Sequence, residues 1–371
     1  ILYDIYWRIR NIESHNAEKT TLIPSYHQSH LEAKINDIKN KHVTQGQDVT
    51  SFAFITDMHW TTNTKVSPAL LGEVCAKCNI EFIFNGGDWV NNAGAADNVV
   101  SQINEMQEMF ENNNILDKTM MVLGNHDDNS TYGVASKTIL QPRMFDLIFR
   151  RISADPNVVM DSDADAIGYY YKDDKFKRIR YIVLNCIDTV YDIDSANDTI
   201  EFGGQHSYEF RKRQVEWFCE EALDVPDDKW NVVICSHIPP ITENIGGSDS
   251  APNYGEHLLF ILDAFINKTR YSATASGGSF GSYDIEVDFT NKGGNVIAWL
   301  AGHVHYDNVI VKHGVNIVTT INNDTTVWDD APLKTEGTHT EQAFDIFTIN
   351  TKTRSVEITR IGAGSDRSFT Y

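Results

Sequence analysis

The chain has 371 residues, 41% hydrophobic and 22% charged, enough for one large α/β core or such a core with a small appendage. A formal charge of −21 argues against long nucleic acid or an anionic membrane as partner, because both need a basic face. No apolar stretch approaches the ~20 residues of a membrane span, and no signal-peptide hydrophobic region opens the chain.

Residues 1–45 read as a helical N-terminal arm, and 46–371 as the main domain. Tyr3, Tyr6 and Trp7, then Leu31, Ile35 and Ile38, fall at helical spacings, with Pro24 separating two candidate helices. The arm is expected to pack on the main domain or to join it to something upstream. Opening at Ile1 rather than Met, the chain is expected to be an excised domain or a processed product, so this end does not report a compartment.

From residue 50 strand and helix alternate. Strands are predicted over 51–56, 81–85, 119–123, 179–187, 231–236 and 295–301, then 308–312, 315–320, 343–349 and 355–361. Helices are predicted over 68–78, 97–113, 141–152, 209–223 and 256–268. The pattern implies a sheet core covered by helices, partly antiparallel because the late strands have no helices between them. Two Gly/Ser-rich loops, 246–252 and 276–282, are of the kind that border a site. The acidic run Asp161–Ala166 looks calcium-like but lacks the full EF-hand spacing, so it reads as a solvated loop.

Of the five cysteines, Cys186 and Cys235 sit in strand-like apolar runs and read as buried thiols. Cys75 and Cys78 form a lone C-x-x-C in a helical pattern with no second pair, a poor zinc site. The odd count argues against a disulfide-stapled fold.

Five predicted strands each end in a metal-capable side chain. The first ends in Asp57-Met-His59, whose two donors point the same way from an extended chain. The second ends in Gly86-Gly-Asp88 and the third in Gly124-Asn125-His126-Asp127. The fourth ends in His237 before Ile-Pro-Pro, and the fifth in Gly302-His303-Val-His305. An oxygen and nitrogen donor set suits a borderline divalent cation, and ligands of open α/β sheets gather beyond the carboxyl ends of the strands.

In order and rough spacing these motifs resemble the full set of the calcineurin-like metallophosphoesterases, over about two thirds of the chain. The resemblance implies a four-layer α/β/β/α sandwich of two mixed sheets, with 46–371 as the catalytic domain, and a dinuclear metal centre of two divalent ions (Mn, Fe, Zn or Mg). By the same resemblance Asp57, His59 and His305 hold one ion, Asn125, His237 and His303 the other, and Asp88 bridges them. Two such ions ~3.5–4 Å apart clamp phosphoryl oxygens and make a bridging hydroxide nucleophilic at neutral pH. His126 would bind a phosphate oxygen or protonate the departing alkoxide.

Three departures from the family pattern matter. Asn91 stands where many members carry an Asp that orients the His; an amide can accept a hydrogen bond but cannot stabilise an imidazolium by charge. The arginines that protein Ser/Thr phosphatases carry beside these motifs are absent from Gly86–Asn92, and Leu123 precedes Gly124. More than a hundred residues separate Asn125 from His237, a large insertion.

The expected function is hydrolysis of a small phosphate ester by a metal-bridging hydroxide. The alternatives are a nucleotide phosphohydrolase or nuclease on the same scaffold, or a structural or binding module of a larger extracellular or virion assembly. A diester is preferred, because the loops 56–63, 85–98, 123–136, 236–257 and 301–308 contain no Arg or Lys to fork a monoester dianion. Arg360 and Arg367 are the two cations that could reach in from a distance.

Overall fold

The computed structural model describes residues 22–162, 168–246, 251–325 and 333–371. Tyr3, Tyr6 and Trp7, and the acidic run beyond Ser162, lie outside them. Strands β1 (Val49–Ile55), β2 (Ile83–Asn85) and β3 (Thr119–Met121) come first, then β4 (Val158–Met160), β5 (Tyr170–Asp174) and β6 (Ile179–Val183). A hairpin of β7 (Asp192–Asp194) and β8 (Thr199–Glu201) precedes β9 (Asn231–Cys235), and a second hairpin follows as β10 (Arg270–Ala275) and β11 (Tyr283–Asp288). The chain ends with β12 (Asn295–Ala301), β13 (Asn308–Lys312), β14 (Val315–Thr319), β15 (Ala343–Asn350), β16 (Ser355–Gly362) and β17 (Arg367–Thr370).

These strands build two mixed sheets, ordered β17-β16-β15-β1-β2-β3 and β13-β14-β12-β9-β6-β5-β4. In the first, β1, β2 and β3 run parallel; in the second, β6, β9, β12 and β14 do. The parallel strands β6 and β9, in the middle of the second sheet, are buried at every position, as cover on both faces requires. The sheets meet face to face through aromatic rings. Tyr181 of β6 stacks 4.4 Å from Phe82 and packs edge-on against Phe52 of β1 at 5.6 Å.

Helices Ser67–Cys78 and Ala96–Asn112 pack together beside the first sheet, and Gly255–Asn267 lies against β12 and β14 of the second. Cys75 and Cys78 are buried in the first of these, and burial pushes the Cys75 thiol up to about 12. All five thiols are free.

The predicted strand positions are all occupied, with ends shifted by a few residues. Five strands at 158–160, 170–174, 192–194, 199–201 and 367–370, and the 270–288 hairpin, were not predicted. These are short or strongly polar segments; β7, for example, is Asp-Ile-Asp and exposed throughout.

The Ser25–Gln45 helix starts directly after Pro24, whose extended φ of −57° and ψ of 144° turn the chain into it. Leu31, Ile35 and Ile38 bury one stripe of it in the same hydrophobic core as β1 and β2. Burial lowers the pKa of its three histidines, His27, His30 and His42. His30 Nε2 accepts the Gly362 N–H at 3.1 Å, and its ring stacks 4.4 Å from His339. Burial, then His339, Lys34 and His27, lower the His30 pKa from 6.5 to about 4, with Asp366 pulling the other way. Held neutral when docked and titrating near 6.5 when released, His30 contributes stability that is complete above pH 6.5 and lost as the pH falls toward 4. Protection factors over residues 25–45, taken as exchange relative to the intrinsic rate at each pH, should therefore fall between pH 7 and pH 4.5, and clearly less in His30→Gln; an equal fall in both proteins would contradict this.

Candidate metal centre

The tips of β1, β2 and β3 lie side by side and are tied through the backbone. Gly86 N–H donates to Ile55 O at 2.7 Å, Asp57 N–H to Gly87 O at 3.0 Å, and His59 N–H to Asp88 O at 3.0 Å. The second sheet closes on them from the other side. Gly302 N–H donates to His237 O at 2.9 Å, and His303 N–H to Asp57 Oδ2 at 3.0 Å. Glycine is required where these tips touch. A Cβ on Gly302 would lie 2.0 Å from Thr56 Oγ1, and one on Gly87, at φ +99°, would lie 2.6 Å from His237 Nδ1.

Backbone conformation marks the same residues. Asp57, His59, Asp88, His303 and His305 all have φ between 46° and 64°, in the left-handed region. Each such residue costs of order 1 kcal/mol or more, and such strain persists at sites where the surroundings over-determine it.

The side chains converge in two groups. Donor atoms of Asp57, His59 and His305 lie within 4.8 Å of one another, as do those of Asp88, His237 and His303. His305 Nε2 is 3.1 Å from Asp57 Oδ1. Asn125 joins the second group, with its Oδ1 3.0 Å from His237 Nε2, and Asp88 Oδ2 is 3.2 Å from that same nitrogen.

This arrangement fits metal ions on its own chemistry. His237 Nδ1 donates to Gly86 O at 2.9 Å, so in the neutral ring Nε2 carries a lone pair, and that lone pair faces two oxygens. Only a cation, either a proton or a metal, relieves that contact. Burial lowers the His237 pKa, but Asp88 and Asp57 overcome it and raise it to about 10, a direct sign that the carboxylates call for positive charge there. For the carboxyls, burial acts upward, yet His305 and His237 hold Asp57, and His237 and His126 hold Asp88, below the usual range. His59 Nδ1 is buried with no hydrogen-bond partner among the described residues. Nitrogen and oxygen donors in this mixture suit borderline divalent cations such as Mn, Fe or Zn.

Outer residues fix these donors. Asn125 Nδ2 donates to Gln205 Oε1 at 3.2 Å, which turns Oδ1 toward His237. The buried Asp127 carboxylate accepts the N–H groups of Trp89 and Gly124, both at 2.8 Å, and so ties the β2 loop to the β3 loop. Burial and the neighbouring Asp88 push its pKa well up. Asn323 N–H reaches Thr56 O at 2.9 Å behind Asp57, and Lys334 Nζ, buried nearby, donates to Asn322 Oδ1 at 2.9 Å and to the carbonyls of Asn322 and Asp324.

His126 lies at the open side, half-buried, its ring 5.2 Å from that of His59 and its N–H on Asp88 Oδ1 at 2.9 Å. The residue against its Nδ1 is Asn92, not Asn91. Asn91 is exposed, and its Oδ1 accepts the Asn92 N–H at 2.8 Å. The physical reason is the turn after Asp88: with Trp89 and Val90 buried and their N–H groups on Asp127, the chain exposes Asn91 and aims the next side chain inward. The partner of His126 is still a neutral amide.

Arg360 and Arg367 do not reach the centre. Arg360 is 1% exposed and pairs with Asp345 at 2.7 Å and with Asp307 at 2.6 Å; Arg367 pairs with the same two carboxylates. Burial acts to push the Asp345 carboxyl up, but Arg360 and Arg367 hold it at about 2. Neither Gln205 nor Asn92 carries a sequence signal. Gln205 lies in the insertion, 80 residues from the asparagine it orients.

A family model described as calcineurin-like phosphoesterase matches residues 50–307. Among solved structures, a dimetal phosphatase from Danio rerio is similar at 12% identity with a TM-score of 0.54, covering 86% of this chain and 98% of that one. GAP50, the anchor in the inner membrane complex of Plasmodium, aligns at 10% identity and TM-score 0.45, over 87% and 88% of the two chains. A putative 5'-nucleotidase from Staphylococcus aureus aligns at 10% identity and TM-score 0.41, over 87% and 54%. No curated protein matches the chain.

Asp88 belongs to the second group, and His237 Nε2 of that group lies 4.0 Å from Asp57 Oδ1 of the first. If Asp88 bridges two ions as the resemblance implies, Asp88→Asn should cost the protein both. Metal analysis of the purified variant after loading checks this; two equivalents retained per chain would mean that Asp88 does not bridge.

Proposed function

The chain belongs to the calcineurin-like phosphoesterase family, and on that premise we propose that it is a dinuclear metal-dependent hydrolase of small phosphate esters, with diesters preferred over monoesters. The observation that carries the reading is the pair of three-residue donor groups converging around Asp88 and Asn125. Asp57, His59 and His305 would hold one ion, Asn125, His237 and His303 the other, and Asp88 both. When bound, two such ions supply charge neutralisation for phosphoryl oxygens and a nucleophile at neutral pH.

The protein's own groups do the rest. Gly86 O keeps His237 in the tautomer that leaves Nε2 free, and Gln205 keeps the Asn125 oxygen pointed inward. Buried walls keep the donors dry. His126 is placed to bind the substrate or to give a proton to its leaving oxygen. As oriented, the Asn92 amide donates to Nδ1, which puts the ring proton on Nε2. A neutral amide partner supports that proton without stabilising a full imidazolium.

The diester preference rests on charge. The five strand-tip loops contain no Arg or Lys. The arginines nearest in the fold are committed to Asp307 and Asp345, and the Lys334 amine is held by backbone and side-chain carbonyls of residues 322–324. A monoester dianion brings nearly one more negative charge than a diester and gains most from a guanidinium fork, which the described residues do not place there.

Loaded with Mn²⁺, the protein should hydrolyse bis-nitrophenyl phosphate with a kcat/KM above that for mono-nitrophenyl phosphate. A tenfold advantage for the monoester would overturn the preference, and no turnover of either ester by fully loaded protein would count against the activity itself. His126→Ala should keep its metals and lose more rate on an alkyl ester than on a nitrophenyl ester, within the ~10²–10⁴-fold range of general acid catalysis. Equal losses on both esters would instead assign His126 to phosphate binding.

A further inference from the structure

Away from the metal centre, a groove of about 520 Å³ runs between a helical segment and the outer edge of β11. One wall is Lys212, Val215, Glu216, Cys219, Glu220 and Leu223, a spacing of three and four residues that is a single helical face. The other wall is seven consecutive residues, Tyr283–Phe289. A sheet face would contribute only alternate residues, so an unbroken run means that the backbone edge of β11 forms the wall.

That edge is open. Among the described residues β11 pairs with β10 alone, in a two-stranded sheet. The two walls also match in length, ~18 Å for twelve helical residues and ~20 Å for six strand residues. They run side by side: Lys292 beyond β11 bonds Asp224 beyond the helix at 2.5 Å, at one end. An unpaired strand edge facing a helix is a ready template for an added strand.

Charge says what kind of strand. Six carboxylates line the groove, Glu216, Glu220, Asp224, Asp284, Glu286 and Asp288, against Lys212 and Lys292. Most are already met: Lys212 is near Glu216, Lys292 on Asp224, Arg270 on Asp288, and Thr274 on Asp284. Glu220 and Glu286, exposed in the middle of the two walls, have no basic partner among the described residues. A second copy of this chain would bring the same carboxylates to the edge, and like charges would keep it out.

We propose that this groove binds an extended basic segment of another protein, added to β11 as a third strand with Lys or Arg side chains against Glu220 and Glu286. Backbone hydrogen bonds along β11 would supply affinity, and the two central carboxylates selectivity.

The test is a fluorescein-labelled nonapeptide of alternating Lys and Val, titrated with the full chain at 0.15 M salt, with amide exchange read in the same samples. Saturable binding is expected, with slowed exchange confined to residues 283–289. The double variant Glu220→Lys/Glu286→Lys should weaken binding at least tenfold, and Glu286→Gln by less, while hydrolysis of a nitrophenyl ester stays unchanged in both. A matching Glu-Val peptide should not bind. Absence of saturable binding, affinity indifferent to the charge reversals, equal binding of the acidic peptide, or protection at some other segment would each overturn the proposal.

Discussion

Two carboxylates at the tips of adjacent parallel strands, Asp57 and Asp88, are almost wholly removed from water, at 0% and 2% exposure. Burying an unpaired carboxylate costs several kcal/mol, so whatever surrounds the pair must bring compensating charge. The chain brings imidazoles: His305 and His237 to Asp57, His237 and His126 to Asp88. Those rings can stand there only if the second sheet ends at the same place as the first, with Gly302 and Gly87 stripped of side chains to let the tips touch. The packing of Tyr181, stacked on Phe82 and edge-on to Phe52, sets the sheets at that spacing. Fold and site are thus one requirement: the sandwich closes so that the carboxylates have imidazole partners, and the positive charge still missing when those rings are neutral is what bound cations would supply.

The same economy of charge explains where the arginines went. Asp307, two residues past His305, and Asp345, opposite Phe54 on β15, are clamped by Arg360 and Arg367 from β16 and β17. This brace fixes the His303–His305 loop from behind. Removing one partner of a buried pair of this kind generally costs ~3–5 kcal/mol, since the other is left charged and dry. The arginines are therefore bound into the framework and face away from the donors. That commitment, among the described residues, is the ground for proposing a substrate of low charge.

The strand tips were legible because two independent signals coincide there: an apolar run long enough for a buried strand, then an Asp, Asn or His where solvent should begin. That gave Asp57, His59, Asp88, the Asn125–Asp127 run, His237, His303 and His305; the family resemblance picked Asn125 out of its run, and the structure brings these seven together. What the sequence does not encode locally was missed. The Asn92-for-Asn91 exchange depends on how the chain turns after Trp89 and Val90 are buried. Gln205 acts across 80 residues of chain, through an insertion whose path no periodicity reveals. From the sequence Arg360 is a cation that could reach in from a distance; only the pairing of β15 with β16 puts Asp345 opposite it. The β10–β11 hairpin alternates polar and apolar residues but carries a charge at most outward positions, which hid it as a loop.

The proposed arrangement, seven donors holding two ions with Asp88 between them, is open to direct observation. Anomalous diffraction from crystals of the Mn²⁺-loaded protein, collected above and below the manganese edge, tests it without relying on activity. Two manganese peaks per chain are expected, one among Asp57, His59 and His305, the other among Asn125, His237 and His303, each touching the Asp88 carboxylate. A single peak, or peaks away from Asp88, would contradict it.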